Sequence, residues 1–454
     1  MGTENQESHL VAVIGAGPAG LYAAKHLASS GVRVALLNRD IKPGGLAEYG
    51  IYYNKYRMKE GLRKQFRKIL AMPDIKYFGN VTVGTESGIS LDDLKSMGFQ
   101  AIIVTVGAQG TKWLGLPGED LNGVYHAKDI VYHYNDLPPY STMDFRMGRR
   151  VALIGVGNVM MDIGHWTIRD KKVDSVIAVA RRGPAEVKFT KKELQYLAAN
   201  LDLPALETEL ERVTPSMETV GQDPERARDF IFSALPKAQP PISDTRFGFE
   251  FLSSPSRIIG DESGQVCGLE VDDTRLVPRN GDTKAEKTGT KRILDVDTVV
   301  FCIGDRVDDK FGLPVQWNEF VKNPDPRYPI NDTSYEAYDP QANEPIDGVF
   351  VAGWSREASS GLVGVARKDG ENGVKAALEY LMTAPPINDV SAVFDKLQRN
   401  LSLIGQPVVS KKEIQLLEEI EQTEAENRGL EIYKMKTNEE MLSALGFLTY
   451  PTQS

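Results

Sequence analysis

Short apolar runs recur along this chain, and five of them close on glycine. Leu10 to Ile14 runs into Gly15, Ala101 to Val106 into Gly107, and Val151 to Ile154 into Gly155. Val296 to Ile303 closes at Gly304, and Val349 to Ala352 at Gly353. Runs of this length without polar alternation predict strands buried on both faces, as in a parallel sheet. A helical pattern, Leu21 to Ser29, follows the first glycine-rich turn. Leu10 to about Gly107 therefore reads β-α-β, then a basic helix, then further strands. Arg150 to about Arg182 reads as a second βαβ unit. Trp113 to Tyr140 is punctuated by Pro and Gly and reads as a crossover. The polar, Pro-rich stretch Pro204 to Thr245 predicts helices and loops. Alternation from Phe249 to Val277 predicts antiparallel strands. Lys368 to Met382 predicts a helix, and Pro385 onward an appended, acidic helical tail.

This order predicts an α/β protein with two Rossmann-like dinucleotide-binding domains of the three-layer ββα type, the second inserted into the first. The expected boundaries are 1–110 and 326–454 for the outer domain, tail included, and 111–325 for the inserted one. A chain of 454 residues is long enough for two or three domains. With 41% apolar and 26% charged residues it has an ordinary globular composition. No apolar run approaches the roughly 18 residues of a membrane span. The stretch Met1 to His9 is polar and lacks the apolar core of a secretory signal. A net charge of −10 argues against general nucleic-acid binding. Cys267 and Cys302 are the only cysteines. Their separation excludes a CxxC redox pair or a cysteine-ligated cluster and fits the cytoplasm. The five histidines show no metal-ligand spacing.

The first glycine-rich turn is Gly15-Ala16-Gly17-Pro18-Ala19-Gly20. Its glycines permit a tight turn, close approach of a pyrophosphate, and helix-on-strand packing. The following helix N-terminus supplies a field that holds phosphates. The next strand, Val32 to Leu37, should end on an acid that grips ribose hydroxyls. Asn38 stands there, an acceptor with donors added. The N-terminal placement favours FAD at this turn.

The second turn is Gly155-Val156-Gly157-Asn158. Its third small position is Met160, so the helix should stand off or the strand adapt. The next strand, Val176 to Ala180, is followed at once by Arg181-Arg182-Gly183. Cations at that strand end suit a nicotinamide cofactor bearing a 2′-phosphate, because guanidinium forks match phosphate oxygens. Two such turns on one chain suggest hydride transfer from NADPH to a flavin.

Further segments carry a family likeness. They include Gly44-Gly45-Leu46, Gly79-Asn80-Val81-Thr82-Val83-Gly84 and Leu116-Pro117-Gly118-Glu119-Asp120. Gly157-Asn158-Val159 through Asp162, Arg181-Arg182-Gly183-Pro184 and Phe189-Thr190-Lys191-Lys192-Glu193-Leu194 continue it. Gly353-Trp354, Gly361-Leu362-Val363-Gly364, Lys368-Asp369 and the closing Glu439 to Gly446 complete it. Together they resemble the adrenodoxin reductase family, the ferredoxin–NADP⁺ reductases of glutathione-reductase type, over nearly the whole chain. The resemblance implies an NADP domain inserted into an FAD domain. It implies FAD contacts from Ala16, Leu46, Val81, Gly353, Trp354, Gly361, Leu362 and Val363, with Asn38 in the place of the family's ribose-binding Glu. It implies NADP contacts from Asn158, Val159, Arg181, Arg182, Glu193 and Gly361, with the nicotinamide stacking on the flavin at Gly361. After Gly50 the chain departs from the family: it reads Ile51-Tyr52-Tyr53-Asn54-Lys55, so Lys55 replaces a His that lies near the equivalent of Asp162. A Lys–Asp pair would hold fixed charge, since Lys titrates near 10.4 against about 6.5 for His. After Trp354 the family's basic run becomes Ser355-Arg356-Glu357-Ala358-Ser359.

In hydride transfer the cofactors carry the chemistry, and protein supplies stacking, orientation and electrostatics. Gly361, Trp354, Asp162 and Lys55 are the residues expected nearest the reacting rings. Reduced flavin releases electrons singly, so a ferredoxin-like iron–sulfur protein is the expected partner. Its acidic surface would need a basic one. Lys55 to Lys68 carries Lys55, Arg57, Lys59, Arg63, Lys64, Arg67 and Lys68, with Met58, Leu62, Phe66 and Ile69 expected on a buried face. The same pattern also serves as an ordinary solvated helix face. Lys188, Lys191, Lys192 and Arg181 form a second basic cluster. The protein is expected to be a monomer or weak oligomer. Two other readings remain at this stage: an NADPH-oxidising subunit like the glutamate synthase small subunit, and a non-catalytic flavin-binding scaffold.

Overall fold

The structure is a computed structural model that describes residues 7–86, 88–358 and 361–448. It contains two compact units. The first comprises residues 1–110, 132–142 and 305–454, and the second 111–131 and 143–304.

The first unit is built on a six-stranded sheet. Its strands run in the order Glu336–Asp339, Glu344–Val351, Ala101–Val104, Leu10–Ile14, Arg33–Asn38, Ile75–Gly79. All neighbours are parallel except the first pair. Ile14 lies level with Leu37 and Val104, and Val104 with Val351. The strands therefore end together, and Gly15, Gly107 and Gly353 gather beyond one edge. In open α/β sheets that carboxyl edge is where ligands bind.

Side chains alternate between the two faces of this sheet. Val11, Val13, Leu36 and Ile103 pack into one core with the helices Pro18–Ser29, Tyr56–Leu70 and Val363–Leu381. Leu10, Ala12, Leu37 and Ile102 pack into another with Leu91–Met97 and Val390–Ile404. The C-terminal segment is not an appendage. Val393, Phe394 and Leu397 lie under one face, while Ile414, Leu417, Met441 and Leu442 lie in the core of the other. Partly buried ion pairs tie it further: Lys42 to the buried Glu421, and Lys434 to the buried Glu48 at 2.5 Å.

The chain returns to the first unit at Asp305 rather than near 326. The cause is packing, since Val307, Phe311, Leu313 and Phe320 share the core of Ile102 and Val104. The crossover likewise divides. It holds a strand Val124–His126 and a helix Ala127–Tyr134, and Tyr132 and Leu137 pack against Tyr49.

The second unit has a five-stranded parallel sheet in the order Val124–His126, Thr298–Phe301, Arg150–Ile154, Ser175–Val179, Arg246–Glu250. A three-stranded antiparallel sheet, Ser253–Gly260, Val266–Arg279 and Asp282–Leu294, covers one face. Ile258, Leu269 and Val271 pack there against Ile154, Val179 and Phe301. Helices Leu203–Glu218 and Pro224–Phe232 fill the Pro-rich stretch. One expectation changes here. Arg246–Glu250 pairs parallel with Ser175–Val179, so Phe249 belongs to the nucleotide sheet. The strand Asp282–Leu294 escapes a hydrophobic pattern because it is an edge strand with mostly exposed polar side chains.

The basic helix Tyr56–Leu70 is rotated from the expected setting. Met58 is exposed, and Lys59 is buried with Phe66, Ile69 and Leu70. The Lys59 ammonium donates to Asn135 Oδ1. Burial, reinforced by nearby Lys434, pushes Lys59 down to about 7. An unfolded chain holds that proton up to about 10.4. Between these values the unfolded state binds more protons, so stability rises with pH. Measured against a Lys59→Met variant, wild-type stability should climb by up to about 1.4 kcal/mol per pH unit between pH 7 and 10. Thermal unfolding across that range checks it, and parallel pH profiles would refute it.

Candidate functional site: two glycine-rich cradles

The first cradle grows from the end of Leu10–Ile14. Gly15 has φ +100°, and its amide donates to Leu37 O at 2.7 Å. A Cβ on Gly15 would lie 2.6 Å from Thr105 O. Gly17 caps the helix Pro18–Ser29, and the nearest atom to a Cβ there is Gly45 Cα at 3.9 Å. At Gly20 a Cβ would lie 1.8 Å from Gly15 O. The three glycines thus divide the labour: Gly15 turns the chain, Gly20 lets helix meet strand, and Gly17 leaves open space over amides at a helix N-terminus. That arrangement suits a pyrophosphate.

Gly44 and Gly45 wrap over the turn, with the Gly44 amide donating to Ala16 O at 2.7 Å. Leu46 begins the helix that follows and is partly buried beside Tyr49 and Tyr132. Val81 is buried, and its amide donates to Asn38 O at 2.9 Å.

Asn38 is turned inward, against expectation. Its Oδ1 accepts from the Ala16 amide at 2.9 Å. Its Nδ2 donates to Asp40 O at 2.8 Å, Lys42 O at 3.0 Å and the Tyr77 hydroxyl at 3.2 Å. A carboxylate could not donate to those carbonyls. Asn38 therefore braces the turn from behind instead of offering its donors to a ribose.

The far side of this cradle comes from Gly353–Ser355 and the start of the helix Val363–Leu381. Gly353 has φ +66°, and a Cβ there would lie 2.7 Å from Ala19 Cβ. Asp369 holds this turn. It accepts from the Gly353 amide at 2.6 Å, from Arg356 at 2.7 Å and from the Tyr335 hydroxyl at 2.9 Å. Trp354 is half-buried between two buried neighbours. Ser359 lies outside the described residues. Gly361 is exposed with φ +74°, and a Cβ there would meet Val365 Cβ at 2.6 Å. Glycine is thus required by the backbone itself, beyond any need to admit a ring. Leu362 is 75% exposed, an apolar surface beside the cradle, and Val363 is partly buried.

The second cradle repeats the logic in the other unit. Gly155 has φ +122°, and its amide donates to Val179 O at 2.9 Å. Gly157 caps the helix Asn158–Trp166, and nothing lies within 4 Å of a Cβ there. Met160 is fully buried. Close approach instead falls one turn later, at Gly164, where a Cβ would meet Leu197 at 2.7 Å. Asn158 Oδ1 accepts from the Thr190 amide at 2.9 Å, and the Lys188 amide donates to Val156 O at 2.8 Å. This brings the segment containing Glu193 alongside the turn. Val159 is 44% exposed and Asp162 half-buried. Arg181 and Arg182 line a cleft of about 460 Å³.

Lys55 lies in the first unit, where it caps the basic helix, and Asp162 lies in the second. The basic helix offers fewer cations than its sequence promised. Lys59 is buried, Arg63 forms a fork on Glu48 at 2.6 and 2.7 Å, and Arg67 pairs with Glu418 at 2.8 Å. Burial alone would push the Glu48 carboxyl up, yet Lys434 and Arg63 hold it well below the usual carboxylate range. Arg57, Lys64 and Lys68 remain exposed. Sequence reasoning missed Thr105 behind the first turn and Asp369 as the clamp on Gly353. A strand end predicts a polar residue like Thr105, but the Asp369 contacts are tertiary.

Comparison with known proteins agrees with this geometry. The pattern of the pyridine nucleotide-disulphide oxidoreductases matches residues 9–201. NADPH-ferredoxin reductase FprA of Mycobacterium leprae is 28% identical over 96% of this chain and 98% of its own. NADPH:adrenodoxin oxidoreductase of Arabidopsis thaliana is 27% identical over 78% of each chain. The solved structure of Mycobacterium tuberculosis FprA in complex with NADPH superposes with a TM-score of 0.78 at 25% identity, covering 97% of this chain and 99% of that one. The chain is thus similar to NADPH-ferredoxin and NADPH:adrenodoxin reductases, to the first of them over nearly its whole length.

Proposed function

We propose that the protein is an FAD-dependent oxidoreductase that moves a hydride between NADPH and the flavin and exchanges electrons with a ferredoxin-like iron–sulfur protein. The observation that carries this reading is the pair of open glycine cradles. Each stands at the carboxyl edge of the parallel strands of its own sheet, and among the described residues only the second is followed by a paired-arginine cleft. The relatives named for NADPH and ferredoxin or adrenodoxin support it. Bound FAD would accept the hydride and release electrons singly.

In this reading Gly15, Ala16, Gly17, Ala19 and Gly20 hold the FAD pyrophosphate. Leu46, Val81, Gly353, Trp354 and Gly361 to Val363 line the remaining flavin site. Gly155, Gly157, Asn158, Val159 and Glu193 hold NADPH, with Arg181 and Arg182 on its 2′-phosphate. Lys55, in the first unit, and Asp162, in the second, are the charged residues this reading assigns to the reaction. The exposed cations Arg57, Lys64 and Lys68 offer a surface to an acidic partner, and the two distant cysteines support a cytoplasmic home.

An anaerobic titration tests the reading. The purified protein should carry flavin bands that NADPH bleaches faster than NADH. Reduction of an added ferredoxin should slow as ionic strength rises, because exposed charge pairs are screened within about 10 Å at 0.1 M salt. A bound flavin that neither nucleotide reduces would sink it.

A further inference from the structure

The cleft beside Arg181 and Arg182 has a second wall from a distant part of the chain. Arg279, Asp282, Thr283 and Lys284, at the tip of the hairpin joining Val266–Arg279 to Asp282–Leu294, also line it. An Asn280-Gly281 turn closes this hairpin, with φ +47° and +80°. That is the backbone Asn-Gly favours in two-residue hairpins. The register sets Arg279 opposite Asp282 and Val277 opposite Lys284. With a side-chain period of two, Arg279 and Lys284 are therefore diagonal neighbours on one face.

The tip is fixed by contacts to the arginine segment. The Thr283 hydroxyl donates to Glu186 Oε1 at 2.6 Å, and Gln222 donates to the same oxygen at 2.6 Å. Lower down, the Thr274 hydroxyl donates to Arg181 O at 2.7 Å, and the Leu276 amide donates to Ser216 Oγ at 2.9 Å. Four cations thus converge on one cleft against a single carboxylate among the lining residues, Asp282. That carboxylate lies 3.8 Å from the Arg182 guanidinium.

We propose that the hairpin tip completes recognition of the 2′-phosphate, with Arg279 and Lys284 as specificity-determining cations and Asp282 as an internal anion that the phosphate displaces from Arg182. This rests on the second unit being the NADPH site. A dianionic phosphate asks for more positive charge than two guanidinium groups, one of them partly neutralised, provide. A nucleotide ending in a free 2′-hydroxyl gains nothing from the tip.

Calorimetric titration of the full-length flavoprotein with 2′,5′-ADP and with 5′-ADP tests this. The parent should prefer 2′,5′-ADP. Arg279→Ala with Lys284→Ala should weaken 2′,5′-ADP by about tenfold and leave 5′-ADP unchanged. Lys284→Gln alone, at a side chain 53% exposed and so harmless to folding, should lose about threefold. Asp282→Asn should tighten 2′,5′-ADP by a similar factor. If the parent discriminates and these hairpin variants discriminate equally well, the hairpin has no part in recognition. Equal weakening of both ligands would make its role structural and overturn the proposal. A parent that binds both ligands alike would overturn the NADPH reading together with it.

Discussion

Gly20→Val is expected to give a protein that retains little flavin. A Cβ at this position would lie 1.8 Å from Gly15 O and 2.5 Å from the Thr105 hydroxyl. Neither neighbour can give way. Gly15 is itself wedged against Thr105 O, and the Thr105 hydroxyl donates to Ile14 O and Gly15 O at 2.9 Å. The helix Pro18–Ser29 cannot retreat either. On its other side a Cβ at Gly370 would already lie 2.3 Å from Ala19 O, so the two backbones are in contact there. Valine would add that Cβ and two methyl groups to a helix held on both sides. Overpacking of this kind costs about 1–3 kcal/mol or more. The strain falls on the amides at Gly15 to Gly17 that would hold the pyrophosphate, so it appears as lost affinity, with about 1.4 kcal/mol per tenfold. Flavin absorbance per mole of purified protein measures it. Gly61→Ala is the matched control, since nothing lies within 4 Å of a Cβ there and alanine favours its helix. Full flavin content in Gly20→Val would mean that the turn does not hold the cofactor.

The same crowding explains what the sequence could disclose. A parallel strand covered on both faces must be apolar throughout, and it must end where the chain turns sharply. Gly15, Gly107, Gly155, Gly304 and Gly353 all have positive φ, which is why five apolar runs closing on glycine located the carboxyl edges of both sheets. Gly361 shares the positive φ without closing an apolar run, and the contact that a Cβ there would make with Val365 is local in the sequence.

Features that depended on a distant partner were hidden. Asn38 looked like a ribose ligand because its position in the strand is right. Only the fold reveals that the carbonyls of Asp40 and Lys42 claim its amide. Met58 and Lys59 exchanged places because helical spacing allows either to lead the stripe of Phe66 and Ile69. The choice was made by Asn135, which lies 76 residues away and offers the ammonium an acceptor. The acidic tail looked separate because its few apolar residues are spaced for one helix face, and a sequence does not say which core that face meets. Asn280-Gly281 marks the turn of the hairpin at Arg279, but what that hairpin packs against was hidden for a similar reason. It is polar on an exposed edge, and its neighbour Arg181 lies 93 residues from Thr274, the contact that anchors it.

Removing Arg181 and Arg182 together should collapse the preference for NADPH. The strand Ser175–Val179 delivers both residues to the sheet's carboxyl edge, immediately beyond the glycine turn at Gly155. Their backbone roles survive truncation to alanine. Arg181 O accepts from the Thr274 hydroxyl, and Arg182 O accepts from the Leu252 amide at 3.2 Å. The loss is therefore confined to the two guanidinium groups. A hydrogen bond to a charged partner contributes about 1.5–3 kcal/mol, and guanidinium on phosphate is among the strong cases. Losing two should lower kcat/KM for NADPH on the order of 10² to 10⁴-fold. NADH has no 2′-phosphate and should change little, so the ratio of the two kcat/KM values should approach unity. The decline should fall mainly on KM, because the phosphate lies far from the transferred hydride and is bound equally in ground and transition states. A variant whose kcat fell while the NADPH-to-NADH ratio held would place the arginines in turnover, and the second cradle would then need another explanation for its cations.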